Sequence, residues 1–324
     1  MTTSWRTTEG ASSPSPAPGP SDDLHRRRRA DKVRRLRAGL PGLILVAPAL
    51  AFYGVFVLRP LAATVQYSFY DWNGIATATF AGVDNYVRLF TDPDLLGPIL
   101  NALQLIVYFS FIPVTFGVVA AAIIRKMGSS RLAGTSRTVL FLPQVIPLVA
   151  AGIMWTWLLA TDGAVNQVMT WVGLGEFTRA WLGDFDTALP AVGVIGAWVN
   201  VGLCMLLMLA GMTKIDPALY EAARLDGAGP VREFISVTLP AVRQELGVAI
   251  IITVISALRS FDIIFISTQG GPGSSTMVPG LEIYYLAFFE REIGQASALA
   301  VALTVIVLIV VLPLNRLTRS DSDS

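Results

Sequence analysis

Six long apolar runs constrain the fold of this chain more than any other feature. They cover residues 41–58, 99–124, 139–160, 188–212, 246–267 and 295–314. Each approaches the roughly 20 apolar residues that an α-helix needs to cross a bilayer core about 30 Å thick. Backbone amides find no water there, so spanning segments must be helices or closed barrels, and continuous apolar runs favour helices. The sequence therefore predicts an all-α membrane protein with six transmembrane helices.

Composition agrees with a membrane protein and excludes several kinds of chemistry. Only 15% of the 324 residues are charged and 53% are hydrophobic, whereas soluble domains typically carry about 25% charged residues. The chain has one cysteine, Cys204, and one histidine, His25. These two residues cannot supply an internal disulfide or a Cys/His metal cluster. We expect no catalytic residue, no metal and no cofactor in this chain.

The first 38 residues differ from the rest of the sequence. Ser, Pro and Gly are frequent there and precede a basic run from Arg26 to Arg37. Such a segment buries too little apolar area to offset the entropy of ordering, so residues 1–38 are predicted to be disordered. Beside an apolar span, the basic run favours an anchor to anionic lipid at the cytoplasmic face over a nucleic-acid partner. Its length also argues against a cleaved signal peptide.

The distribution of basic residues orients the predicted spans. With both termini on one side, 19 of the 24 Lys and Arg residues lie on that side, four lie on the other and Arg259 lies within a span. The positive-inside rule then places both termini in the cytoplasm. Residues 39–318 form the predicted transmembrane domain, and residues 319–324 form a short cytoplasmic tail. Pro143 and Pro147 fall inside span three, where they are either tolerated or open the backbone toward a cavity.

A polar loop at about residues 213–245 separates spans four and five. Asp216 followed by a proline is typical of a helix start, and Gly227 suits a helix end. Gly229 and a second proline then restart the chain, so a second short helix is expected to reach Leu239. The loop is therefore predicted to contain two short helices under the membrane. They could rest on lipid headgroups or receive a partner protein.

The stretch from Glu221 to Ala228, continued by a Leu-Pro pair, resembles the EAA loop of ABC importer permeases. In that family the first helix of the loop fits a groove on the ATPase subunit. The resemblance implies an ABC importer type I-like fold and an ATPase-coupling site. The coupling residues that it implies are Glu221, Ala222, Ala223, Asp226, Gly227, Leu239 and Pro240.

A second stretch, Phe261-Asp262 followed by residues 268–276, resembles the FD…GGP segment of carbohydrate importer permeases of the MalF/UgpA-like type. Residues 68–71 and 80–86 resemble the first external loop of the same permeases. The resemblance implies an external gate at Gly270, Gly271 and Pro272. It also implies a sugar substrate, either an oligosaccharide or a related polyol.

The resemblance implies a multi-subunit assembly in a bacterial plasma membrane. A second homologous permease would complete the path, two ATPase subunits would dock below, and an extracytoplasmic solute-binding protein would deliver the sugar. The sequence contains no Walker motif, so ATP hydrolysis is expected in the partner. Two alternatives stay open. A permease for a non-sugar solute should lack the FD…GGP segment, and a secondary transporter would need coupling-ion carboxylates in its spans.

Five residues in the spans are candidates for the substrate path. Arg259 and Asp262 are three apart near the outer end of span five, where they would share a helix face. They form either a local ion pair or a polar wall for a polyol. Asn200, Gln104 and Trp198 are further candidates, because sugar recognition uses planar polar groups beside aromatic rings.

Overall fold

The computed structural model describes residues 45–319 of the chain. The chain divides into two units, residues 1–62 and residues 63–324. The predicted disordered tail, residues 1–38, lies outside the described residues. The predicted C-terminal tail lies outside them too, apart from the backbone of Arg319.

Helices make up most of the described segment. In chain order they are α1 Leu45–Tyr67, α2 Asp84–Thr91, α3 Pro93–Lys126, α4 Arg131–Val145, α5 Leu148–Leu158, α6 Ala164–Trp171, α7 Ala188–Met212, α8 Pro217–Leu225, α9 Pro230–Ala241, α10 Arg243–Leu258, α11 Asp262–Ser267, α12 Pro279–Tyr285 and α13 Ile293–Arg319. Two strands of two residues each, β1 Tyr70–Asp71 and β2 Thr79–Phe80, pair antiparallel between α1 and α2. This small ribbon is a detail that the all-α prediction lacks.

The helices account for the six predicted spans. Four of them, α1, α3, α7 and α13, are long and apolar enough to cross a membrane. Two bent pairs, α4 with α5 and α9 with α10, raise the number of candidate spans among the described residues to six. The prediction of a six-span helical membrane protein is therefore confirmed by length and composition, although two of its spans are not straight.

The third span breaks where the sequence places its prolines. Helix α4 ends at Val145, Ile146 is extended with ψ 129°, and Pro147 caps α5. The two helices are bent by 101°. A proline disfavours the helical conformation of the residue before it and cannot donate a backbone hydrogen bond. The backbone is therefore opened at Ile146 and Pro147, whereas Pro143 lies inside α4 and is tolerated there.

The predicted fifth span, residues 246–267, is wrong as a single helix. Helix α10 ends at Leu258, and α11 begins only at Asp262. At the break the buried Ser260 hydroxyl donates to the Ala257 carbonyl at 2.7 Å, and the Ser260 backbone N–H donates to the same carbonyl at 3.2 Å. Helix α10 also joins α9 at a bend of 72°.

Helix α7 is the centre of packing in the second unit. Small residues let its neighbours approach closely: a Cβ on Gly202 would overlap the Leu140 carbonyl oxygen of α4. A Cβ on Gly117 of α3 would lie 2.6 Å from Cβ of Cys204. Close backbone approach at small residues is typical of helix packing in membranes. The long apolar helix α7 is therefore a buried core element.

Hydrogen bonds join residues 68–71 to residues 80–86, the two stretches that resemble the first external loop of carbohydrate permeases. The side-chain amide of buried Asn85 donates to the carbonyls of Ser68 and Tyr70, both at 3.0 Å. The Tyr86 hydroxyl donates to the Ser68 hydroxyl at 2.7 Å. The Gln295 amide at the start of α13 donates to the Asn85 carbonyl at 3.1 Å. This hydrogen-bonded clasp ties the loop to the last helix.

Candidate functional site

The coupling loop begins with the helix that its sequence predicts. The Asp216 carboxylate accepts the Ala218 backbone N–H at 2.9 Å and caps α8. At the other end Gly227 adopts φ +79°. The Gly227 N–H donates to the Arg224 carbonyl at 3.0 Å, and the Ala228 N–H donates to the Ala223 carbonyl at 2.9 Å. These two bonds form a Schellman cap, so the predicted helix start and stop are both confirmed.

Tyr220 fixes α8 against the rest of the second unit. Its side chain is buried, and its hydroxyl lies 3.0 Å from the Thr238 hydroxyl of α9. The guanidinium carbon of Arg125, at the end of α3, lies 3.9 Å from the centre of the Tyr220 ring. This cation–π contact joins the coupling loop to a membrane-spanning helix. No local sequence pattern links Tyr220 to Arg125 or Thr238, so this role of Tyr220 is not predictable from the sequence.

An ion pair closes the two coupling helices on each other. The Arg224 Nε lies 2.9 Å from Oε2 of Glu233, whose side chain is largely buried. The hydrogen bond and charge of Glu233 raise the pKa of Arg224 above its ordinary value. The pairing joins α8 to α9 and was also missed from the sequence. Nine residues and a turn separate the two side chains, so helix periodicity does not bring them together.

The outward face of α8 is apolar. Leu219 is 54% exposed, Ala222 is exposed, and Leu225 is 89% exposed. Tyr220 faces the protein. Residues three apart share one helix face, so these three residues form an apolar stripe, and the exposed Glu221 lies next to it. Such a surface is suited to burial against another protein.

The remaining predicted coupling residues lie around this stripe. Ala223 of α8 is half-buried, and Asp226 is the exposed C-cap residue of the same helix. Leu239 is half-buried and Pro240 exposed near the end of α9, close to the bend into α10. The structure thus brings Glu221, Ala222 and Leu225 to one surface, while Leu239 and Pro240 belong to the second coupling helix.

A cavity of about 310 Å³ surrounds the break between α10 and α11. Arg259 and Asp262 line it together with Ser256, Ser260 and the ring of Phe261. Arg259 and Asp262 do not share a helix face, because they lie on opposite sides of the break. No salt bridge joins them in residues 45–319. Both side chains are exposed, so the cavity offers a cation, an anion and two hydroxyl groups beside an aromatic ring.

The other predicted path residues are spread over the second unit. Asn200 is buried and donates to the Gly196 carbonyl of its own helix at 2.8 Å. Trp198 is half-buried and packs edge-on against Trp155, with ring centres 5.5 Å apart. Gln104 is exposed on α3. None of these three lines the 310 Å³ cavity.

The Gly-Gly-Pro-Gly segment forms a compact hydrogen-bonded loop. Gly270 has φ +90°, and a Cβ there would lie 2.5 Å from the Met277 methyl carbon. The Thr276 hydroxyl donates to the Gly271 carbonyl at 2.8 Å. The Asn101 amide of α3 donates to the Met277 carbonyl at 2.9 Å. The predicted gate residues Gly270, Gly271 and Pro272 therefore belong to a structured loop tied to α3.

An acidic group on α12 is electrostatically unusual. Partial burial, and then repulsion by nearby carboxylates, raises the pKa of Glu282 to about 7. The repelling carboxylates, in order of effect, are those of Glu290, Asp94 and Asp92. Glu282 therefore titrates near neutral pH instead of remaining fully charged.

Six apolar helical segments, two of them bent, and a capped pair of short helices between α7 and α10 (α8 and α9, the α8–α9 knob) define the architecture of an integral membrane protein. The sequence matches the family described as binding-protein-dependent transport system inner membrane component over residues 113–319. This chain belongs to that family. It is therefore a permease component of an ABC transport system, which confirms the family implied by the EAA stretch.

Named relatives align with nearly the whole described segment. The probable ABC transporter permease protein YurN of Bacillus subtilis is 35% identical over 83% of this chain and 92% of its own length. The diacetylchitobiose uptake system permease protein NgcF of Streptomyces coelicolor is 32% identical over 85% of this chain and 82% of its own length. The lactose transport system permease protein LacF of Rhizobium radiobacter is 32% identical over 83% of this chain and 90% of its own length.

A solved structure shares the fold. A chain of a bacterial ABC transporter that imports the acidic polysaccharide alginate superposes with a TM-score of 0.75. It is 23% identical in sequence, and the match covers 90% of this chain and 100% of that chain. The ABC importer permease fold predicted from sequence is thereby confirmed.

Proposed function

We propose that this chain is one of two permease subunits of an ABC importer and forms half of the path for a sugar, an oligosaccharide or a related polyol. The observation that carries the proposal is the likeness to relatives named for diacetylchitobiose uptake and lactose transport, over 85% and 83% of this chain. The FD…GGP segment is in keeping with the same substrate class.

The cavity at the break between α10 and α11 supports a polar substrate. Arg259 and Asp262 supply a donor and an acceptor, and the Ser256 and Ser260 hydroxyls can act as both. A sugar presents hydroxyl groups to such groups and its ring face to an aromatic side chain. We assign Arg259 and Asp262 as substrate-path residues. We assign Asn200, Gln104 and Trp198 to the wider path, with Asn200 contributing its amide oxygen.

The apolar stripe of α8 supports the coupling role. A partner ATPase would bury Leu219, Ala222 and Leu225, and Glu221 would make a polar contact at the edge. The Schellman cap and the Arg224–Glu233 pair keep the knob rigid, so movement of the ATPase would be passed to α7 and α10 as rigid-body motion. ATP hydrolysis belongs to the partner in this proposal.

The assembly that we propose has four kinds of component. This permease pairs with a second homologous permease, two ATPase subunits bind at the coupling loops, and an extracytoplasmic binding protein delivers the sugar near Gly270, Gly271 and Pro272. Both termini lie in the cytoplasm of a bacterial cell. Impermeant maleimide should label Ser274→Cys in intact cells and Ser129→Cys, in the loop between α3 and α4, only after permeabilisation. Cys204 is buried and should give little background. The reverse labelling would overturn this orientation.

Co-purification and reconstitution test the whole proposal. The complex purified in mild detergent should contain a second permease, an ATPase and a binding protein whose melting temperature rises with a sugar. Proteoliposomes with the binding protein outside should then take up that sugar only when ATP is enclosed inside them. Transport without ATP would favour a secondary transporter. A binding protein stabilised only by a non-sugar solute would refute the substrate class.

Substitution of Glu221 tests the coupling residue against a matched control. Glu221→Ala should strongly reduce substrate-stimulated ATP hydrolysis while the complex still assembles. Glu176→Ala removes another exposed glutamate, one that lies between α6 and α7, and should leave stimulation unchanged. Equal stimulation in both variants would contradict the docking role of Glu221.

A further inference from the structure

A cavity of about 470 Å³ lies where the end of α3 meets the end of α7 and the coupling loop. Much of its wall is apolar: Val119 and Ile123 line it from α3, Met212 lines it from α7, and Phe234 lines it from α9. Charged side chains stand around the apolar part. The cavity is therefore amphipathic, and it directly adjoins the part of the protein proposed to receive the ATPase.

The charge around this cavity is positive once internal pairs are removed. Arg125, Lys126 and Arg224 line it, as do Glu221 and Glu233. Glu233 is neutralised by Arg224, which leaves two cations and one exposed carboxylate. Arg125 covers the Tyr220 ring. Lys126 is exposed and forms no salt bridge in the described part of the chain. Lys126 is therefore the cation that is available to a ligand.

An apolar stripe on α3 leads from the membrane interior to this lysine. Phe116, Val119 and Ile123 are 63%, 48% and 57% exposed. Their spacing of three and four residues puts them on one helix face, and Lys126 continues the same face. Val119, Ile123 and Lys126 also line the cavity. The surface thus changes from apolar to cationic along a spanning helix, as a phospholipid changes from acyl chain to headgroup.

We propose that this cavity binds one anionic phospholipid of the leaflet on the coupling-loop side. Its phosphate lies at Lys126 and an acyl chain lies along Phe116, Val119 and Ile123. Basic pockets between membrane helices are suited to anionic headgroups, and the apolar stripe keeps a chain in hydrocarbon. A partner protein alone would have to bury the unpaired Lys126 charge, which is unfavourable.

The bound lipid would link the bilayer to the coupling machinery. The cavity is walled on one side by α3 and on the other by Tyr220, Pro230 and Phe234 of the coupling helices. A lipid in this cavity contacts the α8–α9 knob from its membrane side. The assignment of the leaflet to the cytoplasmic side rests on the proposed orientation. The binding site itself does not depend on it.

Retention of phospholipid by the purified complex tests the proposal directly. The purified transporter complex is placed in nanodiscs made from equal amounts of phosphatidylcholine and phosphatidylglycerol, released in detergent, and weighed by native mass spectrometry. The native chain should retain phosphatidylglycerol in preference to phosphatidylcholine. Lys126→Gln should reduce that retention several-fold, because the charge is lost and the apolar wall is kept. Arg131→Gln removes a nearby exposed cation outside the cavity and should retain the lipid like the native chain.

Two further variants separate the chain site from the headgroup site. Ala122→Phe fills the apolar part of the cavity and should lower phosphatidylglycerol retention with Lys126 intact. Ile123→Cys should react with a maleimide carried by a lipid, since Cys204 is buried. The proposal is overturned if Lys126→Gln retains as much phosphatidylglycerol as the native chain, or if the native chain retains both lipids equally. It is also overturned if Ile123→Cys in the assembled complex does not react with the lipid-borne maleimide. None of these measurements requires sugar transport, so a failure of the lipid proposal can be distinguished from a failure of the proposed function.

Discussion

Gly227 provides the sharpest test of how the coupling knob holds its shape. Its φ of +79° lies in the left-handed region, and a Cβ at this position would meet no atom within 4 Å. Gly227→Ala therefore adds no clash and removes no contact. The cost comes only from the backbone, where a left-handed conformation is about 1–2 kcal/mol less favourable for a residue with a Cβ. That cost lowers the stability of the capped end of α8 relative to a state in which the same helix end is frayed.

The expected effect is local and measurable. A cost of about 1–2 kcal/mol raises the population of the frayed end roughly 5- to 30-fold, since about 1.4 kcal/mol corresponds to a factor of ten. Hydrogen exchange of the Gly227 and Ala228 amides, which donate the two cap bonds, should accelerate by this factor. Substrate-stimulated ATP hydrolysis should fall, while assembly in the membrane is preserved.

Gly229 is the matched control for this experiment. It lies two residues away, it also has no atom near an added Cβ, and its φ is an ordinary −73°. Gly229→Ser places a favourable N-cap residue before α9 and should leave exchange at Gly227 and Ala228 unchanged or slower. Unaltered exchange in Gly227→Ala, or equal acceleration in both variants, would refute the argument from backbone conformation.

Two other predictions concern parts of the second unit outside the coupling loop. Asn85→Ala leaves the carbonyls of buried Ser68 and half-buried Tyr70 without their side-chain donor. We therefore expect a loss of about 2–4 kcal/mol in the free energy of unfolding, seen as a lower melting temperature. A melting temperature equal to that of the native chain would contradict the clasp. Glu282 has a folded pKa of about 7, above its unfolded value, so its ionisation destabilises the fold as pH rises from about 4.5 to 7. Glu282→Gln should therefore have the same stability as the native chain at pH 5 and be more stable at pH 8. The expected difference at pH 8 is about 1 kcal/mol once solvent screening of the half-exposed group is allowed for. An equal difference in stability at both pH values would argue against this titration.

Local chemistry made several features of the protein predictable. The six apolar segments follow from the cost of exposing polar backbone to hydrocarbon, which depends on composition alone. The start of α8 at Asp216 and its end at Gly227 follow from capping and backbone freedom, which involve only neighbouring residues. The break at Pro147 has the same local origin. The EAA and FD…GGP stretches also identified the family without any knowledge of contacts.

The tertiary structure decided what these local rules leave open. Span five breaks at Arg259–Phe261 without proline or glycine, and this break exposes Arg259 and Asp262 to one cavity instead of pairing them on one helix face. The contact of Tyr220 with Arg125 and the pairing of Arg224 with Glu233 turn two short helices into a rigid knob. Lys126 becomes a candidate lipid site only because α3, α7 and the coupling loop meet around it. Each of these features depends on residues that are distant in sequence, and their free energy is gained only when packing brings them together.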